Sequence, residues 1–177
     1  RLLDCQKKIS SVLKTSYIET KESAGLRIAI VGLPNVGKSS IFNHIVGQSR
    51  SIVTDERGTT RDTVEKEIYI GTTLVTLIDT AGLRKTKSKA ETIGIKKTYE
   101  EIINSHVLIV VDDQDPIKIY NKLKGKIKKQ KAVLVHNKID LIKRPRKRRT
   151  VYNVSCKNKM GFDGILTKLL TICKKEI

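Results

Sequence analysis

A chain of 177 residues, 38% of them hydrophobic, suits one domain with a full core. Within these residues no apolar run is long enough to span a membrane and no secretory signal peptide is visible. Thirty-six Lys and Arg against eighteen Asp and Glu leave a formal charge of +18, so a polyanionic partner and a compositional bias toward lysine both stand as readings.

In chain order, residues 1–25 read as helix and then loop, with Leu2, Leu3, Ile9, Val12 and Leu13 forming an incomplete apolar stripe before Ser23-Ala24-Gly25. Residues 1–23 are expected to end a preceding domain or linker, and 24–177 to form the main domain. The chain begins at Arg1 and its one methionine is Met160, which reads as a piece of a longer protein. Short β-rich runs predict strands at 26–31, 64–70, 73–78, 106–111, 132–136 and 151–154. Helical spacing predicts helices at 38–46, 91–103, 161–173 and, more weakly, 116–128. Strands alternating with helices imply an α/β fold with a mostly parallel six-stranded sheet flanked by helices. The segments at 64–70 and 73–78 are separated only by Gly71-Thr72, so they should pair as an antiparallel hairpin. Val107–Val111 and Ala132–Val135 are apolar throughout, as strands covered on both faces are.

Between the first strand and the first helix lies Gly32-Leu-Pro-Asn-Val-Gly-Lys-Ser-Ser40, which fits G-x-x-x-x-G-K-[ST]. In that context it is a phosphate-binding loop of the P-loop NTPase kind. Glycines let the backbone turn its N–H groups inward, and the helix start adds partial positive charge. Asn35, Val36, Gly37, Lys38, Ser39 and Ser40 are the candidate phosphate contacts. Lys38 can reach the β- and γ-phosphates and the Ser39 hydroxyl can bind Mg²⁺.

Four more motifs follow. Gly58-Thr59-Thr60-Arg61-Asp62 offers Thr59 and Thr60, the latter to Mg²⁺ when a γ-phosphate is present. Asp79-Thr80-Ala81-Gly82 offers the Asp79 carboxylate to the Mg²⁺ shell and the Gly82 N–H to the γ-phosphate. Asn137-Lys138-Ile139-Asp140 places a carboxylate, Asp140, that can accept from guanine N1–H and N2–H₂, a pair adenine lacks. Ser155-Cys156-Lys157 offers backbone to guanine O6. Any one of these alone is a surface turn most of the time. Five in order, each at a strand end, point to GTP and GDP rather than ATP, because ligands bind at the carboxyl ends of strands in open α/β sheets.

The cysteines (Cys5, Cys156, Cys173) and histidines (His44, His106, His136) are scattered, with no zinc or redox spacing. The basic run Lys143–Arg149 lacks aromatics, so it reads as a solvated loop or a phosphate-contacting patch.

These motifs, with Ile52-Val-Thr-Asp-Glu-Arg57 before Gly58 and Glu91-Thr-Ile-Gly-Ile95 after the second switch, resemble the GTPase domains of the MnmE (TrmE) family of tRNA-modification GTPases, in the TrmE-Era-EngA-like branch. The resemblance covers residues 24–173, and residues 1–23 resemble the end of that family's helical domain. It implies a Ras-like G domain hydrolysing GTP to GDP and phosphate. It implies a cytoplasmic bacterial setting, or an organelle matrix in a eukaryote, and no membrane. Leu83 stands where Ras-like enzymes carry the water-orienting glutamine, so another device is needed. By resemblance, K⁺ held by Asn35, Thr54 and Glu56 supplies it, together with face-to-face pairing of two G domains. Glu91 then orients the water, with Lys38 and Gly82 as the other catalytic groups. The resemblance further implies action on the wobble uridine of tRNA within a complex with an MnmG-like FAD protein. The alternative is a Der-like ribosome-assembly switch that grips rRNA. Lys85, Lys87 and Lys89 make the second switch basic, so two such faces should repel at low salt.

Overall fold

The computed structural model describes residues 25–49, 64–80, 99–125, 127, 129–143 and 148–176. Its elements are β1 (Leu26–Gly32), α1 (Lys38–Gln48), β2 (Val64–Ile70), β3 (Thr73–Asp79), α2 (helical residues 99–104), β4 (Val107–Asp112), α3 (Pro116–Lys124), β5 (Lys131–His136), a 3₁₀ turn (Ile139–Leu141), β6 (Val151–Asn153) and α4 (Phe162–Glu176). The segment 1–23 falls outside the described residues.

The six strands form one sheet in the order β2-β3-β1-β4-β5-β6. Only β2 runs antiparallel, paired to β3 from Val64 opposite Asp79 to Ile70 opposite Thr73. The hairpin is the one expected from Gly71-Thr72. Gly71 takes φ +67, a conformation that costs glycine nothing. The other pairings are parallel, and the chain crosses from β3 over β1 to β4. Parallel strands need both faces covered. All six residues of β4 are accordingly buried, its side chains alternating between two cores. On one face, Ile109 and Val111 of β4 join Ile28, Ile30, Leu77, Ile41, Phe42, Ile165 and Leu169, from strands, α1 and α4. On the other, Leu108 and Val110 join Ala29, Val31 and Ile102, with Ile117, Tyr120 and Leu123 of α3 packed against them.

The mostly parallel α/β architecture read from the sequence is the one observed; of the helix expected at 91–103, residues 91–98 lie outside the described residues, and the other boundaries differ by a few residues. α3 stops at Lys124, short of the expected 128, where Gly125 and a lysine-rich stretch favour solvent over helix. Its start is well specified: Pro116 occupies the first turn and the Asp115 carboxylate accepts from the Ile117 N–H at 3.1 Å. α4 runs on to Glu176 because Ile172 and Cys173 still face the core. His44 packs rather than ligates, its ring 3.6 Å from that of Phe162, which ties α1 to the start of α4.

Ile109→Ala removes a fully buried side chain from the middle of the sheet. It should cost about 3 kcal/mol in urea unfolding. A loss below about 1 kcal/mol would mean that this strand is not in the core.

Candidate functional site

The loops that follow β1, β5 and β6 leave the same end of the sheet, the carboxyl end of its parallel strands. The phosphate-binding loop runs directly from β1 into α1. Asn35 adopts φ +62 and Gly37 φ +96, so the peptide groups turn before the helix begins. No side chain caps α1, whose first turn lies at the positive end of the helix dipole. Ser39 and Ser40 are exposed at that end, whereas Lys38 is only 5% exposed. The Lys38 ammonium donates to the Leu33 carbonyl at 2.7 Å and so lies folded across its own loop.

Asn137 joins this loop to the next. Its side-chain Nδ2 donates to the Val36 carbonyl at 2.9 Å, across 101 residues of sequence. Its Oδ1 accepts from the Cys156 N–H at 3.3 Å. Its backbone N–H continues the sheet to Asp112 at 2.9 Å. At 2% exposure the amide makes both of these bonds inside the protein, linking three loops. The fit is close: a Cβ on Gly37 would lie 2.2 Å from the Asn137 Nδ2. That contact, together with the positive φ, explains the glycine at this position.

Lys138 follows in the left-handed region, φ +60, and its ammonium bonds Asp113 at 2.8 Å. Asp140 sits exposed in the 3₁₀ turn. The buried Ser155 hydroxyl donates to Asp140 Oδ1 at 2.5 Å and accepts from the Asn158 N–H at 3.1 Å. Serine thus fixes the carboxylate from behind and closes the loop that carries Cys156 and Lys157. Burial pushes the Cys156 thiol above its ordinary value; the nearby Asp140 charge adds to this and the hydrogen bond with Asn137 opposes it.

Asp79 ends β3 with 3% exposure, in register with Ile30 of β1, two residues ahead of the phosphate loop. The adjacent Thr80, also buried, donates its hydroxyl to the Ile30 carbonyl at 2.7 Å. Thr80 is a strut that the sequence reading did not single out; its place between a motif aspartate and a motif glycine hid a packing role behind a functional one. Among the described residues no three His, Cys, Asp or Glu side chains gather to hold a metal ion. The hydroxyl of Ser39 and the carboxylate of Asp79 are hard oxygen donors of the type Mg²⁺ accepts, and an ion held partly by phosphate oxygens needs few protein ligands. Thr54, Glu56, Thr59, Thr60, Gly82 and Glu91 lie outside the described residues. The structure therefore brings together Asn35 to Ser40, Asn137, Lys138, Asp140, Ser155, Cys156 and Lys157, with Asp79 one strand over.

A sequence model of the 50S ribosome-binding GTPase family matches residues 27–138, more than half of the chain. The chain belongs to that family. Membership makes this GTPase domain a binder of GTP and GDP and a hydrolase acting on GTP. Curated relatives bearing the name tRNA modification GTPase MnmE align over most of it. The protein of Sulfurimonas denitrificans is 32% identical over 178 residues, covering 97% of this chain and 40% of its own length. That of Thermotoga maritima is 36% identical over 172 residues, covering 96% and 37%. That of Mycoplasma mobile is 38% identical over 154 residues, covering 86% and 35%. The GTPase domain thus spans two fifths or less of the length of these relatives. Among solved structures, the G domain of the T. maritima FeoB iron transporter superposes with a TM-score of 0.59 at 22% identity, over 84% of this chain and 98% of that one. A GTP-binding protein from Sulfolobus solfataricus, solved with GDP, gives 0.59 at 16% identity over 97% and 59%. At those identities the two establish the shared fold.

The raised Cys156 thiol gives a test of the loop geometry. Alkylation followed by peptide mapping should label Cys156 more slowly than an unstructured cysteine peptide at about pH 8, with the half-maximal rate above pH 9.0, the ordinary thiol value. Labelling at the free-peptide rate would contradict a half-buried thiol beside Asp140.

Proposed function

We propose that this chain is the GTPase domain of an MnmE-like protein, and that its hydrolysis of GTP to GDP and phosphate drives domain closure in a larger assembly that modifies the wobble uridine of tRNA. The observation that carries the nucleotide part is the Asn137-centred junction, which sets a phosphate loop and an oriented Asp140 carboxylate at one end of the sheet. The tRNA part rests on the names of the curated relatives, which align over nearly the whole chain, and on the Glu91-Thr-Ile-Gly-Ile stretch.

In this reading the N–H groups from Asn35 to Ser40 surround the phosphates and Lys38 contacts their β- and γ-oxygens. Asp140 accepts from guanine N1–H and N2–H₂ while Ser155 holds its orientation. The Cys156 and Lys157 backbone lines the O6 side, and Lys138, pinned to Asp113, borders the base. Gly82 offers its N–H to the γ-phosphate. Leu83 cannot polarise water, so Glu91 orients the nucleophile through a second water. Ser39, Thr60 and Asp79 are the residues assigned to Mg²⁺, and Asn35, Thr54 and Glu56 those assigned to K⁺. When bound, the two cations neutralise charge on the β- and γ-phosphate oxygens. Two such domains meet across their switch regions, residues 1–23 end a helical domain, and an MnmG-like FAD protein in the cytoplasm is the partner. The +18 charge favours one second reading, a Der-like switch on ribosomal RNA. Pull-down with an MnmG-type protein against ribosomal subunits separates the two.

Phosphate release should rise about tenfold or more when KCl replaces NaCl at equal ionic strength. Glu91→Ala should keep GTP affinity and lose about 10²-fold in turnover. A Glu91→Ala variant as fast as the parent removes Glu91 from the chemistry, and equal rates in both salts remove K⁺.

A further inference from the structure

At the end of β1 away from the phosphate loop, one side chain joins three elements. Arg27 lies on the same strand face as Ala29 and Val31, which belong to the core that Ile102 of α2 and Leu123 of α3 pack against. Its backbone is fixed twice to the residue before β4. The Arg27 N–H donates to His106 Nδ1 at 3.0 Å, and the Arg27 carbonyl accepts from the His106 N–H at 2.9 Å. The guanidinium reaches out from that anchor. One terminal nitrogen, Nη2, lies 2.8 Å from the Glu101 carboxylate on α2 and 3.5 Å from the Glu65 carboxylate on β2. The second contact passes over a whole strand, because β3 lies between β2 and β1.

A cation shared in this way sets a distance. Glu65 and Glu101 face the same nitrogen, so without it two carboxylates would oppose each other across the gap between strand and helix. The apolar grip on α2 is slight: of residues 99–104 Ile102 alone is buried, with Tyr99 packed at the edge of the core. Two polar bonds close the far end of the helix. The Ser105 hydroxyl donates to the Glu101 carbonyl at 2.7 Å, and the Gln130 amide donates to the Ile103 carbonyl at 2.9 Å. All three charged side chains are partly exposed, and ion pairs of that kind add little to folding stability. Their effect falls instead on where α2 sits relative to β2. Both partners lie just beyond a nucleotide motif. β2 follows Gly58-Thr-Thr-Arg-Asp62, and α2 follows the segment that carries Gly82 and Glu91.

We infer that Arg27 is a positioning residue for GTP hydrolysis, which fixes the spacing of β2 and α2 and so couples the segment bearing Thr60 to the segment bearing Glu91. The inference rests on the reading in which those two residues serve the γ-phosphate. Arg27 stands at the opposite end of β1 from the phosphate loop, so GDP affinity does not depend on it. Because a single nitrogen serves both carboxylates, a lysine ammonium can replace it, whereas glutamine keeps part of the stem and removes the charge.

Single-turnover phosphate release and GDP affinity of the 177-residue chain form the test. Arg27→Gln should slow hydrolysis about fivefold and leave GDP affinity within about twofold of the parent. Arg27→Lys should stay within about twofold on both measurements. Arg27→Gln/Glu65→Gln, which no longer opposes two carboxylates, should return hydrolysis to within about twofold of the parent. A residue that only supported the fold would lower both measurements together and would not respond to removal of a second charge. Parent-like hydrolysis by Arg27→Gln, a matching loss of GDP affinity, or no recovery in the double variant would each overturn the inference. The parent's own turnover and the Glu91→Ala variant report separately on the reading beneath it: an active parent with an inert Arg27→Gln substitution sinks the coupling alone, and an inactive parent sinks both. Should Arg27→Gln fail to fold, Glu65→Lys on the exposed edge strand should slow hydrolysis by a similar factor with GDP affinity kept, and an unchanged rate would overturn the inference equally.

Discussion

The side-chain amide of Asn137 is the constraint on which the rest of the site depends. A nucleotide is long and its two ends differ in chemistry, so a protein that selects one must hold a phosphate cradle and a base reader at fixed separation. Here the segments proposed for those roles are more than 100 residues apart in sequence, and one buried amide links them, donating to Val36 and accepting from Cys156. A buried amide left half-satisfied costs about 1–3 kcal/mol, so this junction favours the arrangement in which both bonds form. The glycine at position 37 is its counterpart, since any side chain there would occupy the space the amide fills.

The sheet makes the junction possible. Parallel pairing of β1, β4 and β5 brings three strand ends to one level, with Ile30, Ile109 and Val133 in register across them. The hydrophobic cores on both faces hold that register, because a slip by one residue would turn each buried side chain toward the wrong face. Small hydrogen-bonding residues then tie the strand ends and loops together. Thr80 ties β3 to β1, and Ser155 sets the angle of Asp140. The loops at this edge are therefore held by buried polar side chains on an aliphatic support.

Much of this was legible in the sequence. The β-branched apolar run Val107–Val111 is what a strand covered on both faces requires, and Gly71-Thr72 between two strand patterns favours a hairpin. The glycine-lysine loop and the Asn-Lys-x-Asp motif name their chemistry because few other residue types could perform it. Long-range contacts were less accessible. Asn137 reads from its motif as a nucleotide contact, and nothing local in the sequence shows that its side chain also bonds Val36 and Cys156. Thr80 and Ser155 act through partners 50 and 15 residues away, and no local pattern announces them.

The central claim is that one amide makes the phosphate loop and the guanine loops a single unit. Calorimetry of GDP binding to Asn137→Ala, beside the parent protein and with the sheet verified by circular dichroism, addresses it directly. The account predicts a loss of about tenfold or more in GDP affinity in a folded variant, from two bonds each contributing about 1 kcal/mol. An intact variant that binds GDP as tightly as the parent would show that the loops find their places without it.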